Sequence, residues 1–487
     1  MKIHICVLAL TLCLLSKAYS QLPINENHRQ TISKFIEGYN AQDFDKMSDQ
    51  LSGVMKLVFT KSTLKTAYSY QYQLLGKARI ASIKSNGSSY KIGLLYDRDT
   101  TELEELSLNI SKKNTINGMS SSSPKLHFSN PTNPTVISED NIKNEIDGLV
   151  TQKHISGNYS GCILVMKKNT VFYQSCQGYA DANSNKALNN NTLFDLASLS
   201  KQFTAMAIMI LVDQKKLSYQ SVIQDFYPDF PYKNISIENL LTHTSGLPDY
   251  MELFDKYWDK SKIATNDDVI KLLSKYKPKP SFKPSNKYEY SNTGYALLAS
   301  IIEKVSGKTY AAFLDDNIFK PLSMKNSSVL FTKYSKKQSP NNFAKGYTYS
   351  PDKKSFVLAD SLPKNEYYIY LSGIVGDGAV HSTLNDLAIW DKSIREYRLV
   401  SKEIFDQAIK PFQTKKELSQ YGYGWELMNE KQYEKLIHHS GNWGGNTHFM
   451  LHFLDKEITI IALSNNEYTN IQNLAIRIGA ILVDSYR

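Results

Sequence analysis

The chain has few cysteines and no long hydrophobic run beyond its first 20 residues. Only four of its 487 residues are cysteine, far below the density of small scaffolds that disulfides hold together. After residue 20, no segment reaches the roughly 18 consecutive apolar residues that a membrane-spanning helix needs. No internal repeat is visible, which argues against a repeat array. The sequence therefore predicts a globular chain of two or three domains.

Charge of one sign is not concentrated anywhere in the sequence. There are 57 Lys and Arg against 47 Asp and Glu, a net charge of +10, and these charges are dispersed. With no basic helix and no nucleic-acid motif, we expect no nucleic-acid partner. The dispersed charge favours a general role in solubility over adhesion to an anionic cell wall. A hydrophobic content of 41%, with 32 Tyr and 20 Phe, is enough for real cores and argues against disorder.

The first 20 residues are typical of a secretory signal peptide. An apolar run, Ile3–Leu15, follows a lysine, and Ala18 and Ser20 supply the small residues that a signal peptidase reads. The run is too short to span a membrane. We therefore expect cleavage after Ser20 and a mature protein without an integral membrane segment, secreted across the inner membrane to the periplasm or the cell exterior.

The four cysteines fall into two pairs. Cys6 and Cys13 lie in the predicted signal peptide, where the bulky Leu12 disfavours a lipid anchor on Cys13. Cys162 and Cys176 flank a stretch that is typical of two strands around a turn. A hairpin there would set the two cysteines opposite each other, where an oxidising compartment allows a disulfide. Two buried thiols in an apolar sheet fit the sequence equally well.

The composition predicts two folded parts joined by a linker. Residues 21–119 form a small α+β unit, since apolar residues at helical spacing in TISKFIEGYNAQDFDKMSDQLS precede short alternating segments. Those segments are YSYQYQLL, KARIASIK, SYKIGLLYD and LEELSLNI. Residues 120–136 are rich in Ser, Pro and Asn and predict a linker. Hydrophobic strands and long helices then alternate over residues 137–487.

The stretch FDLASLSKQFTAM places Ser198 three residues before Lys201. Only this Ser-x-x-Lys pair opens a segment that is apolar nearly all round, the pattern of a buried helix. Free N–H groups at the helix N-terminus favour a developing negative charge, and burial should lower the pKa of the lysine. The pair therefore predicts a nucleophile with its base. Six other serines start the same pattern without that context: Ser62, Ser88, Ser122, Ser274, Ser350 and Ser361.

Tyr290 and Asn292 lie two residues apart, just before a predicted helix that begins near Thr293 and ends by Gly307. In an extended chain their side chains project to the same side. The tyrosine could relay a proton and the asparagine could orient a substrate amide. A core tyrosine beside a helix-capping asparagine is the alternative that this motif leaves open.

His439-Ser440-Gly441 is the only His-x-Gly in the sequence, and it closes a short apolar strand. Its glycine, with Gly444 and Gly445 nearby, lets a backbone and a ligand approach closely. A histidine in a turn is the alternative here.

Taken in this order, the three motifs resemble those of the serine β-lactamase and penicillin-binding-protein family, on its class C side. LLTHTSGLPDY, GDGAVHSTLNDLAIW and YGYGWEL are also similar to segments of that family, and the resemblance covers about residues 139–487. It implies an antiparallel sheet flanked by helices, plus a helical subdomain. The smaller unit, residues 21–119, resembles the NTF2-like domains found ahead of secreted hydrolases; a spacer or dimer surface is favoured there over a ligand site.

The family resemblance implies a role for each motif residue. Ser198 matches the acylated nucleophile, and Lys201 matches the lysine that helps to deprotonate it. Tyr290 matches the tyrosine that serves as base and as acid to the leaving group, and Asn292 the residue that holds the substrate amide. The N–H groups of Ser198 and Asn442 would form the oxyanion hole, and neither a metal nor another cofactor is needed.

The third motif departs from the Lys-Thr-Gly of the β-lactamases proper. A lysine would be a fixed cation for a substrate carboxylate, whereas histidine is mostly neutral near pH 7. His439, Ser440 and Gly441 match instead the His-x-Gly of related D-aminopeptidases, D-Ala-specific peptidases and esterases. The resemblance also makes His243, in LLTHTSGL, a structural residue of a turn.

We therefore expect a secreted serine hydrolase that forms an acyl-enzyme on Ser198 and acts on D-amino-acid peptides or cell-wall fragments. A broad-specificity esterase and a true β-lactamase are the next alternatives. From another class of function, a non-catalytic protein that binds muropeptides also fits the sequence.

Overall fold

The computed structural model describes residues 24–61, 64–65, 68, 71–72, 76–96, 104–122, 138–157, 159–330, 342–350, 352–353, 355–428 and 435–485. The predicted signal peptide, with Cys6 and Cys13, and residues 123–136 of the predicted linker lie outside the described residues. The chain forms two compact units, Met1–Phe128 and Ser129–Arg487, so the division falls within the segment predicted as a linker.

The N-terminal unit packs helices against one antiparallel sheet whose strands follow the chain order β1-β2-β3-β4. The first helix buries apolar residues at helical spacing, among them Ile32, Phe35 and Tyr39. The unit is α+β, and the NTF2-like interpretation of it stays a prediction. Its elements are α1 (Glu26–Ala41), α2 (Phe44–Asp49), α3 (Gly53–Val58), β1 (Ala78–Asn86), β2 (Ser89–Tyr96), β3 (Glu104–Ile110) and β4 (Ile116–Ser122).

Two details of this unit differ from the sequence expectation. The last strand runs to Ser122, beyond the predicted boundary at residue 119, because its serines pair with β3 as far as the register Glu105↔Ser122.

In the stretch YSYQYQLL, predicted as a strand, the described residues Tyr68, Gln71 and Tyr72 are helical. Tyr68 and Tyr72 are four residues apart, and both pack edge-on against Tyr39. The tyrosines of YSYQYQLL stand at every second position, which is the spacing of a strand, although the described ones lie on a helix.

The C-terminal unit contains a six-stranded sheet and a helical part. Its helices are α4 (Glu139–Ile155), α5 (Ser200–Asp213), α6 (Ile237–Leu241), α7 (Tyr250–Tyr257), α8 (Asn266–Tyr276), α9 (Asn292–Ser306), α10 (Tyr310–Leu314), α11 (Lys320–Leu322), α12 (Tyr367–Tyr370), α13 (Leu384–Arg395), α14 (Lys402–Ala408) and α15 (Ile471–Ser485). Its strands are β5 (Gly161–Lys167), β6 (Thr170–Gln177), β7 (Tyr179–Asp181), β8 (Lys186–Ala187), β9 (Phe194–Asp195), β10 (Ser328–Val329), β11 (Tyr347–Ser350), β12 (Ser355–Leu358), β13 (Val380–Ser382), β14 (Phe412–Gln413), β15 (Leu418–Ser419), β16 (Glu426–Met428), β17 (Leu436–Trp443), β18 (Asn446–Phe453) and β19 (Ile458–Ser464).

The large sheet has the order β16-β17-β18-β19-β5-β6, and every neighbouring pair is antiparallel. Every residue of β18 and β19 is buried, as expected for strands covered on both faces. Helices α4, α13 and α15 pack on the sheet. An antiparallel sheet flanked by helices is the architecture that the family resemblance implies.

The helical part is centred on α5, α8 and α9, which contact one another through α9. All residues of α5 from Ser200 to Leu211 are buried, which agrees with its apolar pattern on every side. Helix α9 is capped at its start by the Ser291 side chain, which accepts from the Gly294 N–H, and it ends at Gly307 with φ of 68°. Glycine suits this left-handed position at a helix end.

A disulfide joins Cys162 and Cys176 in the structure. The two residues face each other in the β5–β6 register, and the hairpin turns at Lys168 and Asn169, both with positive φ. The sequence left a disulfide and two buried thiols equally open, because strand pairing alone does not fix the redox state of the sulfurs.

We expect reduction of this disulfide to lower the free energy of unfolding by up to about 3 kcal/mol, since it closes a short loop in the unfolded chain. Denaturant unfolding curves with and without reductant measure the change. The Cys162→Ser/Cys176→Ser double variant is the control, and its curve should not respond to reductant. Identical curves for the native chain in both conditions, or two titratable thiols in the oxidised protein, would count against the disulfide.

Candidate active site

Ser198 lies on a short turn that leads directly into helix α5. Residues Ala197–Leu199 form one turn of 3₁₀ helix, and α5 begins at Ser200. Ala197 has a φ of 50°, a left-handed conformation that alanine rarely adopts. Its N–H donates to the Asp195 carboxylate at 3.2 Å, which helps to hold the turn. Strain of this kind is often found at functional sites.

Lys201 is fully buried in the first turn of α5. Its Nζ lies 3.0 Å from Ser198 Oγ, 3.0 Å from Asn292 Oδ1 and 2.8 Å from the backbone oxygen of Asp377. Burial lowers the pKa of Lys201 to about 8, against an opposing effect of the Asp377 charge. The neutral amine is therefore accessible close to physiological pH.

The two oxygen acceptors decide how a neutral Lys201 is oriented. Asn292 Oδ1 and the Asp377 carbonyl can only accept hydrogen bonds, so they take the two N–H groups of a neutral amine. The nitrogen lone pair is then left for the third neighbour, the Ser198 hydroxyl. This is the arrangement of a base poised to take the proton of Ser198.

Tyr290 stands beside this pair, and the residue as a whole is 41% exposed. Lys201 Nζ lies 4.9 Å from the ring centroid. Desolvation raises the pKa of Tyr290 above its usual value, although a hydrogen bond with Ser198 opposes the shift. The phenol is therefore protonated at neutral pH and can donate a proton.

His243 is buried against the ring of Tyr290. Its Nδ1 accepts from the Ser291 N–H at 3.0 Å, and its ring lies 4.3 Å from that of Tyr290. Its backbone oxygen accepts from the Glu289 N–H at 3.0 Å. Burial lowers the pKa of His243 well below its usual value. It fixes the segment that carries Tyr290 and Asn292, in agreement with the structural role expected for it.

His439 is neutral because of where strand β17 holds it. Its Nδ1 lies 2.6 Å from the Ser440 backbone oxygen, which requires the proton on that nitrogen. Its Nε2 therefore accepts from the Tyr421 hydroxyl at 2.8 Å. Burial lowers the pKa of His439 to about 3, and the charge of Lys201 adds to the effect. It supplies no cation for a substrate carboxylate.

Strand β17 also supplies the wall next to Ser198. A Cβ on Gly441 would lie 2.5 Å from the Leu196 backbone oxygen, so only glycine lets the strand approach the Ser198 turn this closely. Asn442 follows at the edge of the pocket. Ser440 is exposed on the same strand and is not among the residues that line the pocket.

The pocket beside Ser198 has a volume of about 80 Å³. Ser198, Asn292 and Asn442, which the sequence motifs singled out, line it, whereas no motif assigned a role to Asp377, Tyr250 or Trp443. Its lining is Asp195, Ala197, Ser198, Tyr250, Asn292, Leu330, Leu371, Ser372, Ile374, Asp377, Gly378, Ala379, His381, Asn442 and Trp443. A signal for Asp377 was present in the segment GDGAVHSTLNDLAIW, whose likeness to the family was noted without a role for any of its residues.

Within the described part of the chain, no group of three or more His, Cys, Asp or Glu is placed to hold a metal ion. Within the same residues, no helix is long and apolar enough to cross a bilayer.

Comparison with known proteins identifies the family. The family described as Beta-lactamase matches residues 142–481. Penicillin-binding protein 4* of Bacillus subtilis (strain 168) is 38% identical over 320 residues, which are 65% of this chain and 69% of that protein. Teichoic acid D-alanine hydrolase of Staphylococcus aureus (strain MRSA252) is 26% identical over 313 residues, which are 63% of this chain and 72% of that protein.

Among solved structures, the octameric penicillin-binding protein homologue from Pyrococcus abyssi superposes with a TM-score of 0.61 at 28% identity, over 70% of this chain and 77% of that one. The predicted family and fold of the C-terminal part are confirmed by these matches. The chain belongs to the beta-lactamase family and is a serine hydrolase with the fold of that family.

Proposed function

We propose that the chain is a secreted hydrolase that forms an acyl-enzyme on Ser198 and cleaves amides or esters of D-amino acids, with cell-wall fragments as the natural substrate class. The observation that carries the proposal is the buried Lys201 amine, held by Asn292 and Asp377 with its lone pair available to Ser198. The curated relative named teichoic acid D-alanine hydrolase supports the substrate class.

The reaction follows from the protonation states of the site. Neutral Lys201 takes the proton of Ser198 while Oγ attacks the substrate carbonyl, and an oxyanion forms. The backbone N–H groups of Ser198 and Asn442 stabilise that oxyanion, and loss of one such donor typically costs ~10²–10³ in turnover. The Tyr290 phenol donates a proton to the leaving group. Water then hydrolyses the ester on Ser198 by the reverse sequence of proton transfers.

The pKa directions divide the acid and base roles between two residues. The pKa of Lys201 is lowered to about 8 while that of Tyr290 is raised. A lowered pKa suits the group that accepts a proton at neutral pH, and a raised pKa suits the group that donates one. Lys201 is therefore the base for Ser198, and Tyr290 serves the leaving group.

Neutral His439 bears on the competing functions. A D,D-carboxypeptidase or a β-lactamase acts on substrates with a carboxylate, which a cation in the third motif would bind. With its pKa lowered to about 3, His439 carries no charge at neutral pH. This favours substrates without that carboxylate, and an esterase is the next alternative. A non-catalytic muropeptide-binding protein fits poorly, because it would have no use for a deprotonatable Lys201 beside Ser198.

Secretion is part of the proposal and rests on the predicted signal peptide, residues 1–20. The Cys162–Cys176 disulfide is consistent with an oxidising compartment. The mature chain would then comprise the 21–119 unit, the linker and the hydrolase domain from residue 137 to 487, acting in the periplasm or outside the cell.

Ser198→Ala should abolish hydrolysis of D-alanyl esters and of simple short-chain esters, by at least about a thousandfold in kcat, because the nucleophile is lost. Initial rates of acid release measure the effect. Ser274→Ala is a matched control: Ser274 also begins a Ser-x-x-Lys pattern, but it lies in the last turns of α8 and does not line the pocket. Unchanged turnover in Ser198→Ala would refute the acyl-enzyme at this residue.

The dependence of kcat/KM on pH should show a rising limb with its midpoint near the Lys201 pKa of about 8. Below that pH the lysine is an ammonium group without a lone pair, and above it the amine can take the proton of Ser198. An ester without titratable groups gives the cleanest profile between pH 6 and 10. Tyr290→Phe should lower the rate and leave the limb in place. A flat profile, or a limb that disappears with Tyr290→Phe, would contradict the assignment.

A further inference from the structure

Asp377 presents a carboxylate to the pocket beside Ser198. The residue is 8% exposed, and its Oδ2 accepts a hydrogen bond from the Tyr250 hydroxyl at 2.8 Å. Its own backbone oxygen accepts from Lys201 Nζ at 2.8 Å. The residue that helps to hold the base therefore also lines the pocket in which the substrate must react.

The position of this carboxylate is fixed by packing. Gly376 has a φ of 100°, and a Cβ there would lie 2.4 Å from the Tyr295 backbone oxygen on helix α9. The loop is therefore seated directly on that helix. Tyr250, which orients the carboxylate, begins α7 and is itself buried. Such a group is held in place before a ligand arrives, which lowers the entropic cost of binding.

The described pocket lining holds no lysine or arginine to neutralise Asp377. Lys201 directs its three hydrogen bonds to Ser198, to Asn292 and to the Asp377 backbone oxygen, none of them to the carboxylate. Its charge lowers the pKa of the Asp377 carboxyl, but that charge is absent from the neutral amine that activates Ser198. The other carboxylate of the lining, Asp195, accepts from the Ala197 N–H. A buried carboxylate without a hydrogen-bonded cation is costly, and a cationic group of a ligand would offset that cost.

The walls of the pocket restrict what the cationic group can be attached to. One wall of the pocket is formed by the Asp377 carboxylate and the Tyr250 hydroxyl that donates to it. The remaining walls include apolar side chains that suit a methyl group: Leu330, Leu371, Ile374 and Trp443.

We propose that this pocket binds the α-ammonium group and small side chain of an aminoacyl substrate, with the Asp377 carboxylate as the counter-charge. In such a substrate the ammonium is on the carbon next to the reacting carbonyl, so it must lie close to Ser198. The inference rests on the proposed function and deepens it: esters and amides of small amino acids with a free amine are preferred over N-acylated peptides. Asp377 is thereby a specificity-determining residue.

The test compares three methyl esters that differ only at the α-carbon: D-alanine, N-acetyl-D-alanine and propionic acid. At about pH 7 the α-ammonium is mostly protonated. The native chain should hydrolyse the D-alanine ester at least about tenfold faster in kcat/KM than the propionate ester, as expected for a hydrogen bond between charged groups. The N-acetyl ester should be the poorest substrate.

Asp377→Asn should lower the ratio of kcat/KM for the D-alanine ester to kcat/KM for the propionate ester at least about tenfold. Tyr250→Phe keeps the charge and removes its hydrogen bond, and it should lower the same ratio by less. Equal loss on all three esters in Asp377→Asn would assign the residue to support of Lys201 and overturn the proposal. A native chain that prefers propionate or the N-acetyl ester would overturn it as well.

Binding to the Ser198→Ala protein separates this inference from the proposed function. Calorimetric titration should give tighter binding of D-alaninamide than of propionamide, and Asp377→Asn in the same background should remove the difference. If no ester is hydrolysed but this difference is present, the proposed reaction fails and the ammonium pocket stands. Equal binding of the two amides overturns the ammonium pocket whatever the esters show.

Discussion

The burial of one amine, Lys201 Nζ, links the elements of this active site. It meets oxygen atoms from three separate segments: the turn that opens α5, the start of α9 and the loop before β13. A helix buried on every side places it there and lowers its pKa to about 8. Because Asn292 and Asp377 offer only acceptors, deprotonation leaves the lone pair for Ser198. The same contacts therefore position the site and activate its nucleophile.

The charges around this amine set what the site can bind. Burial, aided by the charge of Lys201, lowers the pKa of both His439 and His243 and keeps them neutral, and desolvation raises the pKa of Tyr290. Asp377 and Asp195 are the carboxyl groups that line the pocket next to the nucleophile. Burial raises the pKa of the Asp377 carboxyl, although the charge of Lys201 opposes the shift. A site of this polarity matches an aminoacyl group better than a substrate that carries a carboxylate.

Sequence reasoning found the residues whose chemistry depends on local context and missed those that act across the fold. Ser198 and Lys201 were identifiable because a buried helix follows them, and the Beta-lactamase match over residues 142–481 confirms the family. Asp377 was missed because its backbone oxygen holds Lys201 and its neighbour Tyr250 lies 127 positions away in the chain. The Nε2 atom of His439 accepts from Tyr421, and no local pattern links these two residues. The strand predicted over YSYQYQLL was wrong where residues are described. Tyr68 and Tyr72 fit the period of a strand, but residues four apart also share one face of a helix, and both pack against Tyr39.

Covalent capture tests the central claim, that Lys201 activates Ser198 for acyl transfer. The folded mature chain is treated with a fluorophosphonate that labels activated serines, and the adduct is followed by intact mass and mapped by peptide digestion. The account predicts one adduct, on Ser198, that forms faster as the pH rises through about 8 and is lost in Lys201→Met. No adduct on the folded protein, an adduct at another serine, or equal labelling of Lys201→Met would contradict it.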